Sequence, residues 1–173
     1  MVILITGSSH TGKTLLAQRM LEKYKYPYLS LDHLKMGLIR SGYTDLTPED
    51  DWEMVDYLWP VAREIIKTAI ENEQDLIVEG CYVPAGWRKD FDERYLPHIR
   101  FICLGMTEEY IDKHFDEIVA HESDIETRAV PADCTKEGLK TCNRYHIDAF
   151  LEAGEDVVLI EDDFEKTINR LLE

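Results

Sequence analysis

The sequence is poor in basic residues, with 19 lysines and arginines against 35 aspartates and glutamates, which gives a formal net charge of -16 at pH 7. A surface of this charge repels polyanions, so nucleic acid and anionic membranes are not expected as partners. The sequence also lacks an apolar run of the roughly 18 residues that a membrane-spanning helix needs. No basic segment precedes the apolar run at Val2, as it would in a signal peptide. We therefore expect a cytoplasmic protein.

Cysteines are few as well. The four cysteines include no C-x-x-C pair, which argues against a disulfide framework and against a structural zinc site. The sequence has no internal repeat, no low-complexity tract and no linker long enough to divide it. We therefore expect residues 1–173 to form one domain around a single core, with thiols that stay reduced.

What the sequence does contain is a regular alternation of apolar runs and helical patterns. This alternation is typical of parallel β-α-β units, with helices on both faces of the sheet, rather than of a bundle or an antiparallel sandwich. The fold class is therefore predicted to be α/β. The five predicted strands cover residues 2–6, 26–31, 75–79, 98–104 and 156–160.

Helix boundaries can be predicted at several places. A long helix is expected after Thr47, with Pro48 at its first position, and Trp59-Pro60 predicts a kink or a break near Leu58 because proline cannot donate the helical hydrogen bond. Thr107 is expected to cap a further helix, and Ala153-Gly154 to end another. The aromatic residues of the long helix lie at helical spacing and are expected in the core rather than in a pocket wall: Trp52, Tyr57 and Trp59.

The first strand is followed by a glycine-rich motif and then by an amphipathic helix. The motif fits the phosphate-binding pattern G-x-x-x-x-G-K-[ST], in which backbone N–H groups and the helix dipole hold phosphates. Lys13 is expected to reach the β- and γ-phosphates of ATP, and the Thr14 hydroxyl to serve Mg²⁺. The predicted nucleotide-binding residues are Gly7, Ser8, Ser9, His10, Thr11, Gly12, Lys13 and Thr14.

Carboxylates follow two of the other strands, at the edge where parallel sheets bind ligands. Asp32 is expected to orient an acceptor hydroxyl and take its proton; the alternative is a helix N-cap, and the two roles need not exclude each other. Glu79 is expected to hold metal-bound water near Thr14 or to accept the proton itself, and the sequence leaves both roles open. Gly80 is expected to let the chain turn tightly beside the acceptor.

Cations are needed to neutralise the transferred phosphoryl group. Arg128 is the first candidate, because it lies in a polar segment, residues 121–135, that is expected to be a mobile lid over the nucleotide. Lys136, Lys140 and Arg144 are further candidates near this segment. For an anionic acceptor, Arg40 and Arg88 are the predicted ligands, and Arg63, Lys89 and Arg94 lie in the same part of the sequence.

Together these motifs resemble the P-loop kinases of the nucleoside monophosphate kinase-like superfamily. Glu79-Gly80 is similar to the Asp-Gly that ends the third strand in nucleotide kinases, and Asp32 resembles the substrate-orienting aspartate of shikimate, chloramphenicol and zeta-toxin-type kinases. The resemblance implies a three-layer P-loop NTPase fold with strand order 2-3-1-4-5, a lid at residues 121–135 and a substrate-binding helical region at about residues 32–72.

The sequence departs from the adenylate kinase pattern in two places, although annotations of adenylate kinase or 2-phosphoglycerate kinase type would fit the resemblance. The segment that follows Glu79 lacks the arginine of Asp-Gly-Phe/Tyr-Pro-Arg, and Arg128 is the single arginine of the lid segment. A small hydroxylated acceptor is therefore favoured over a nucleoside monophosphate.

The function expected from the sequence is an ATP- and Mg²⁺-dependent phosphotransferase that moves the γ-phosphoryl group to a small-molecule hydroxyl or phosphate. The alternative is a nucleotide-binding ATPase or switch that acts on a protein partner. The absence of an Asn-Lys-x-Asp signature argues against a GTPase. A monomer or a homodimer is expected.

Overall fold

The protein is represented by a computed structural model that describes residues 1–121 and 135–173. Its five strands form one parallel sheet in the order β2-β3-β1-β4-β5. The number of strands and the order implied by the resemblance are both confirmed. The strands are β1 (Val2–Gly7), β2 (Tyr28–Ser30), β3 (Leu76–Glu79), β4 (Ile99–Met106) and β5 (Val157–Ile160).

Helices cover both faces of the sheet. Helices α1 and α6 pack on one face around Ile5, Leu16 and Ile168, whereas α3 and α5 pack on the other around Leu58 and Phe150. The helices are α1 (Lys13–Tyr24), α2 (Leu31–Arg40), α3 (Asp51–Glu71), α4 (Glu108–Ala120), α5 (Lys136–Glu152) and α6 (Phe164–Leu171), with short 3-10 helices at Trp87–Asp90 and Leu96–His98.

Strand β1 is buried along its whole length, because it lies between β3 and β4 and is covered by helices on both faces. Its register places Ile5 beside Glu79 on β3 and Gly7 beside Leu104 on β4. Because both faces of this strand are covered, its residues do not alternate between apolar and polar, which explains the continuous apolar run in the sequence. The carboxyl end of β1 therefore opens into the middle of the sheet edge.

Helix α3 is continuous over 21 residues and contains Pro60 in its interior. The predicted break near Leu58 is wrong, whereas the alternative of a kink at this point stays a prediction. Pro60 is exposed, whereas its neighbours Leu58 and Trp59 are buried, so packing on the core side holds the helix together across the missing hydrogen bond. The helix also begins at Asp51, three residues later than the position of Pro48 predicts, because Thr47 and Asp50 bond each other in a preceding turn.

The core prediction for the α3 aromatics is only partly right. Trp59 is 4% exposed and belongs to the core, but Trp52 is 68% exposed and Tyr57 37% exposed. The reason is that the buried stripe of α3 follows Met54 and Leu58 at i, i+4 spacing, and Trp52 lies off this stripe.

Two predicted helix boundaries are confirmed. The Thr107 side chain accepts a hydrogen bond from the Tyr110 amide and caps α4. Helix α5 ends at Glu152, and Gly154 follows with a φ of 81°. Over residues 1–121 and 135–173, no helix combines the length and the apolar character that crossing a membrane requires.

Candidate functional site

The loop between β1 and α1 lies at the carboxyl end of the central strand. Gly12 precedes α1 and has a φ of 80°, a left-handed conformation that favours glycine. A Cβ atom on Gly12 would lie 2.5 Å from the Phe164 ring of α6. The second glycine of the motif is therefore required both by the backbone conformation and by the ring that packs against it.

Two side chains of the loop bond to a single carbonyl. The Thr11 hydroxyl donates to the Ser8 carbonyl at 2.8 Å, and the Lys13 ammonium donates to the same oxygen at 2.7 Å. Lys13 is only 7% exposed. Its cation is thus folded back over the loop, at the place where the backbone amides that begin α1 are directed.

Thr14 and Glu79 meet beside this loop. The Thr14 hydroxyl donates to Oε2 of Glu79 at 3.3 Å, and Glu79 is fully buried at the end of β3. A hydroxyl and a carboxylate are hard oxygen ligands of the kind that Mg²⁺ accepts directly or through water. The two residues predicted to serve the metal are therefore adjacent, and their chemistry fits that ion.

Gly80 follows Glu79 with a φ of 153°, and a Cβ atom there would lie 2.7 Å from Cβ of Leu31. The turn after β3 therefore packs closely against the first residue of α2. This close approach brings the end of β3 next to Asp32.

Asp32 lies in the first turn of α2, and the N-cap of this helix is Ser30. The interpretation of Asp32 as the N-cap is therefore wrong. Its Oδ1 accepts a hydrogen bond of 3.3 Å from the Tyr82 hydroxyl. A carboxylate in the first turn is also stabilised by the helix dipole.

Lys35 and Tyr82, which the sequence analysis did not select, connect Asp32 to α3. The Lys35 ammonium donates to Asp51 Oδ1 at 2.7 Å, to the Tyr82 hydroxyl at 2.7 Å and to the Pro48 carbonyl at 2.9 Å. The Tyr82 hydroxyl also lies 3.0 Å from Asp51 Oδ1. Burial raises the pKa of Tyr82, and the nearby Cys81 and the carboxylates of Asp32 and Asp51 raise it further.

The charge of Lys13 reaches two further residues, Cys81 and His146. Burial raises the pKa of the Cys81 thiol, and the Lys13 charge opposes this rise while Asp32 adds to it. Burial, together with the smaller effect of the Lys13 charge, lowers the pKa of His146 to about 4. His146 is therefore neutral near pH 7. No local pattern distinguishes His146 from an ordinary helix residue.

The predicted acceptor cations lie elsewhere. Arg40 ends α2, about 12 Å along the helix axis from Asp32. Arg88 forms a two-pronged ion pair with the buried carboxylate of Glu155, which precedes β5 and so belongs to the amino edge of the sheet. The structure does not bring either residue to Asp32.

The cationic residues that were predicted to lie near the lid contact acidic residues of α4. Lys140 lies 2.6 Å from Asp112, and Arg144 pairs with Glu108. Lys136 donates to the Asp112 carbonyl at 3.0 Å. Arg128 and most of the predicted lid, residues 122–134, lie outside the described residues.

A separate surface groove of about 1090 Å³ lies between the end of α1, the start of β2 and the second half of α3. It borders the amino ends of the strands, whereas ligands of parallel α/β sheets bind beyond the carboxyl ends. We therefore place the candidate site at the phosphate-binding loop.

No family model and no curated protein matches this sequence. Several solved structures, in contrast, are similar to this chain. The chain is 16% identical to deoxyadenosine kinase from M. mycoides, with a TM-score of 0.58 over 99% of this chain and 97% of that one. It is 15% identical to shikimate kinase from Bacteroides thetaiotaomicron, with a TM-score of 0.56 and coverages of 99% and 96%. It is 18% identical to a sugar kinase from Janibacter sp., with a TM-score of 0.55 and coverages of 99% and 91%.

At identities this low, the structural matches establish a shared fold and nothing finer. The sheet order β2-β3-β1-β4-β5 and the loop between β1 and α1 belong to that fold. The chain therefore adopts the P-loop kinase fold.

Proposed function

We propose that this protein is a phosphotransferase that moves the γ-phosphoryl group of ATP to a hydroxyl of a small molecule. The observation that carries the proposal is that three adjacent strands, β2, β3 and β1, lead at their carboxyl ends into Asp32, Glu79 and the phosphate-binding loop. Each of these groups has a separate task in phosphoryl transfer. Their meeting at one sheet edge supports one reaction site.

The nucleotide is held by backbone and charge. The N–H groups of residues 8–14 and the positive end of α1 bind the phosphates, and the Lys13 ammonium leaves the Ser8 carbonyl to contact the β- and γ-phosphates. Because the chain carries a net charge of -16, this local positive field has to overcome an unfavourable overall field. Arg128 is the further residue that we propose to supply positive charge to the phosphates.

Thr14 and Glu79 would hold Mg²⁺, Thr14 through its hydroxyl and Glu79 directly or through bound water. The ion supplies Lewis-acid stabilisation of the phosphate oxygens.

Asp32 performs the acid–base chemistry at the acceptor. The acceptor oxygen attacks the γ-phosphorus, the bond to the β,γ-bridging oxygen breaks, ADP leaves, and the hydroxyl proton passes to the Asp32 carboxylate. Tyr82 donates to one oxygen of Asp32 at 3.3 Å, which helps to orient the carboxylate.

The structural neighbours support a small-molecule acceptor over a protein partner. Their names describe kinases of deoxyadenosine, shikimate and sugars, each of which is a hydroxylated small molecule. The alternative, an ATPase or switch that acts on a protein, predicts release of inorganic phosphate without an acceptor. Product analysis separates the two, because a kinase yields a phosphorylated acceptor in amounts equal to ADP.

The first experiment measures ATP and ADP binding by calorimetry with Mg²⁺, followed by a screen of metabolites for acceptor-dependent ADP release. Lys13→Ala should abolish measurable ATP binding, whereas Lys113→Ala, on the exposed surface of α4, should bind ATP like the wild type. Folded protein that takes up no nucleotide would overturn the proposal.

With an acceptor in hand, Asp32→Asn should lower kcat by about two orders of magnitude or more, as expected for loss of a general base. The matched variant Asp56→Asn, exposed on α3, should be unaffected. Glu79→Gln should raise the Mg²⁺ concentration needed for half-maximal activity about tenfold or more. Full turnover by Asp32→Asn would exclude the proton-acceptor role.

A further inference from the structure

The Tyr82 hydroxyl joins two carboxylates at the candidate site. It lies 3.3 Å from Oδ1 of Asp32 and 3.0 Å from Oδ1 of Asp51, so these two carboxylate oxygens are at most about 6 Å apart. Asp32 lies in the first turn of α2, and Asp51 is the first residue of α3. The start of α3 therefore adds a second carboxylate to the place where Asp32 is proposed to bind the acceptor.

The hydrogen bonds of Lys35 hold this second carboxylate in place. An ammonium has three N–H groups, and those of Lys35 are used by Oδ1 of Asp51, by the Tyr82 hydroxyl and by the Pro48 carbonyl. Lys35 is 6% exposed, so it cannot turn outwards without breaking this set. Because the Tyr82 oxygen accepts a bond from Lys35, its own proton is directed at one of the two carboxylates.

Asp51 is fixed by one oxygen and open at the other. Both of its hydrogen bonds use Oδ1, and Oδ2 has none within residues 1–121 and 135–173. The Asp51 side chain is 61% exposed, although Oδ1 contacts the buried Lys35 and Tyr82. A carboxylate held in this way can accept a hydrogen bond from a ligand without giving up its bonds to the protein.

Asp51 also acts on the turn that follows β3. Burial raises the pKa of the Cys81 thiol in this turn, the charge of Lys13 opposes the rise, and the charges of Asp32 and Asp51 add to it. The carboxylate of Asp51 is therefore directed inwards, to the residue that precedes Tyr82.

A buried hydroxyl lies beside the same turn. Thr6 is fully buried, and its Oγ1 has no hydrogen-bond partner among the described residues. The carbonyl of Ile5 accepts a hydrogen bond of 3.1 Å from the Gly80 amide, which places Thr6 next to this turn. By strand alternation Thr6 shares its sheet face with Leu4, which belongs to the same core as Tyr82. Because an unpaired buried hydroxyl is costly, this hydroxyl indicates that a polar group of a ligand or a water completes the site here.

We propose, on the basis of the phosphotransferase function above, that Asp51 is a specificity-determining residue that selects acceptors with a second hydroxyl one or two carbons away from the reacting one. The reacting hydroxyl lies at Asp32, and the second hydroxyl donates to Oδ2 of Asp51. Two carboxylates this close can each accept a hydrogen bond of about 2.7 Å from hydroxyls on adjacent or alternate carbons.

The second hydroxyl also acts through Tyr82. An Asp51 that accepts from both Lys35 and the acceptor competes less for the Tyr82 proton, so this proton turns to Asp32 and holds its carboxylate for the transfer. The second hydroxyl therefore raises kcat in addition to lowering the acceptor KM.

The test uses three small alcohols as acceptors for the full chain with ATP and Mg²⁺: 1-propanol, 1,2-propanediol and 1,3-propanediol. Phosphorylated alcohol is measured by ³¹P NMR. The ratio of the rate with a diol to the rate with 1-propanol does not depend on how much of a sample is folded. At least one diol should react about tenfold or more faster than 1-propanol. Equal rates for the three alcohols overturn the proposal, and so does the absence of product with all three.

Variants of Asp51 test the residue itself. Asp51→Ala should bring the ratio close to that of two equivalent acceptors, whereas Asp56→Asn, an exposed position on the same helix, should keep the wild-type ratio. If Asp51→Ala does not fold, Asp51→Asn keeps an oxygen for Lys35 and should still lower the ratio about threefold or more. A wild-type ratio in a folded Asp51 variant overturns the proposal.

Tyr82→Phe separates binding of the second hydroxyl from orientation of Asp32. The diol should keep its lower KM, because Asp51 is still held by Lys35, but it should lose its advantage in kcat. A purely structural role of the hydroxyl would lower kcat for all three alcohols by the same factor, and an unchanged kcat ratio would contradict the proposed role of Tyr82.

Nucleotide calorimetry and the metabolite screen keep the two proposals apart. Protein that binds no ATP contradicts the phosphotransferase function. Protein that binds ATP and phosphorylates a metabolite, but fails the comparison of diols with 1-propanol, contradicts only the role of Asp51.

Discussion

The hydroxyl of Tyr82 lies 3.3 Å from Oδ1 of Asp32 on a side chain that is only 2% exposed. The same hydroxyl accepts a hydrogen bond of 2.7 Å from Lys35 and lies 3.0 Å from Asp51. Its single proton serves one carboxylate at a time, and Asp51, on α3, is the nearer of the two. The geometry of Asp32 is therefore coupled to the position of the first turn of α3.

Tyr82→Phe tests this coupling. Loss of the hydroxyl leaves a buried Lys35 donor without its acceptor, which should lower the free energy of unfolding by about 1–3 kcal/mol. Asp32 loses its fixed orientation, so kcat should fall about tenfold or more while the KM for ATP stays the same.

Tyr24→Phe is the control for Tyr82→Phe. It also removes one hydroxyl hydrogen bond, to the Leu172 carbonyl at 2.6 Å, but on the face of the sheet opposite α3. It should leave kcat unchanged. If both variants lose activity to the same extent, a general loss of stability rather than the orientation of Asp32 is responsible.

Gly154 is a matched control for Gly12 of the phosphate-binding loop, because the φ values of the two glycines are 81° and 80°. A Cβ at Gly154 would meet nothing within 4 Å. Gly154→Ala should therefore lower the free energy of unfolding only by the strain of an alanine in the left-handed conformation, about 1–2 kcal/mol. Gly12→Ala adds a clash with the Phe164 ring and should cost more, with loss of ATP affinity. Denaturant unfolding and calorimetry measure the two effects.

The double variant Gly12→Ala/Phe164→Ala checks the stated cause. If the ring is responsible, the combined loss of unfolding free energy should be smaller than the sum of the two single losses, because the clash is gone. Additive losses would mean that the ring does not restrict Gly12.

His146 should make the protein less stable in acid. Its pKa is lowered from 6.5 to about 4 by burial and by the charge of Lys13. Above pH 6.5 the histidine is neutral in both the folded and the unfolded chain and contributes nothing. As the pH falls below 6.5, the unfolded chain takes up a proton that the folded chain refuses, so stability is lost until the pH reaches about 4. The full effect is about 3 kcal/mol.

Urea unfolding between pH 7 and pH 4 measures this contribution of His146 as the difference between the wild type and His146→Gln. The variant should lose about 3 kcal/mol less than the wild type over this range. His98→Gln, which changes an exposed histidine, should follow the wild-type curve. Parallel curves for the wild type and His146→Gln would contradict a buried neutral imidazole.

Substitution of Arg88 tests whether this residue has a structural role or a substrate-binding role. Its Nε and Nη2 donate to both oxygens of Glu155 at 2.5 and 2.9 Å, and the Glu155 side chain is 4% exposed. Arg88→Ala leaves this carboxylate buried without its partner. Because Arg88 itself is half exposed, the expected loss of stability is moderate, about 1–3 kcal/mol. The acceptor KM should not change.

The control for Arg88→Ala is Arg94→Ala, which breaks an exposed pair with Asp92 and should cost little. A higher acceptor KM at unchanged stability would instead assign Arg88 to the acceptor, as the sequence pattern suggests.

Much of the fold follows from local patterns. The motif that ends in Lys13-Thr14, the buried run of β1 and the cap at Thr107 could all be recognised from neighbouring residues, because each depends on backbone conformation or on burial period. The same local reasoning was wrong about a break at Pro60 and about the burial of Trp52. Packing on the core side kept α3 intact across the proline, and the register of the buried stripe left Trp52 outside it.

The sequence by itself determined the phosphate-binding loop, the alternation of strands and helices, and the two carboxylates at the strand ends. Only the tertiary structure decided which side chains surround them. Lys35 and Tyr82 are 47 residues apart in the chain, and Trp52 meets Tyr145 across two helices. Such contacts depend on how whole elements pack, since a local pattern records which residues are buried but not which distant residue each one meets.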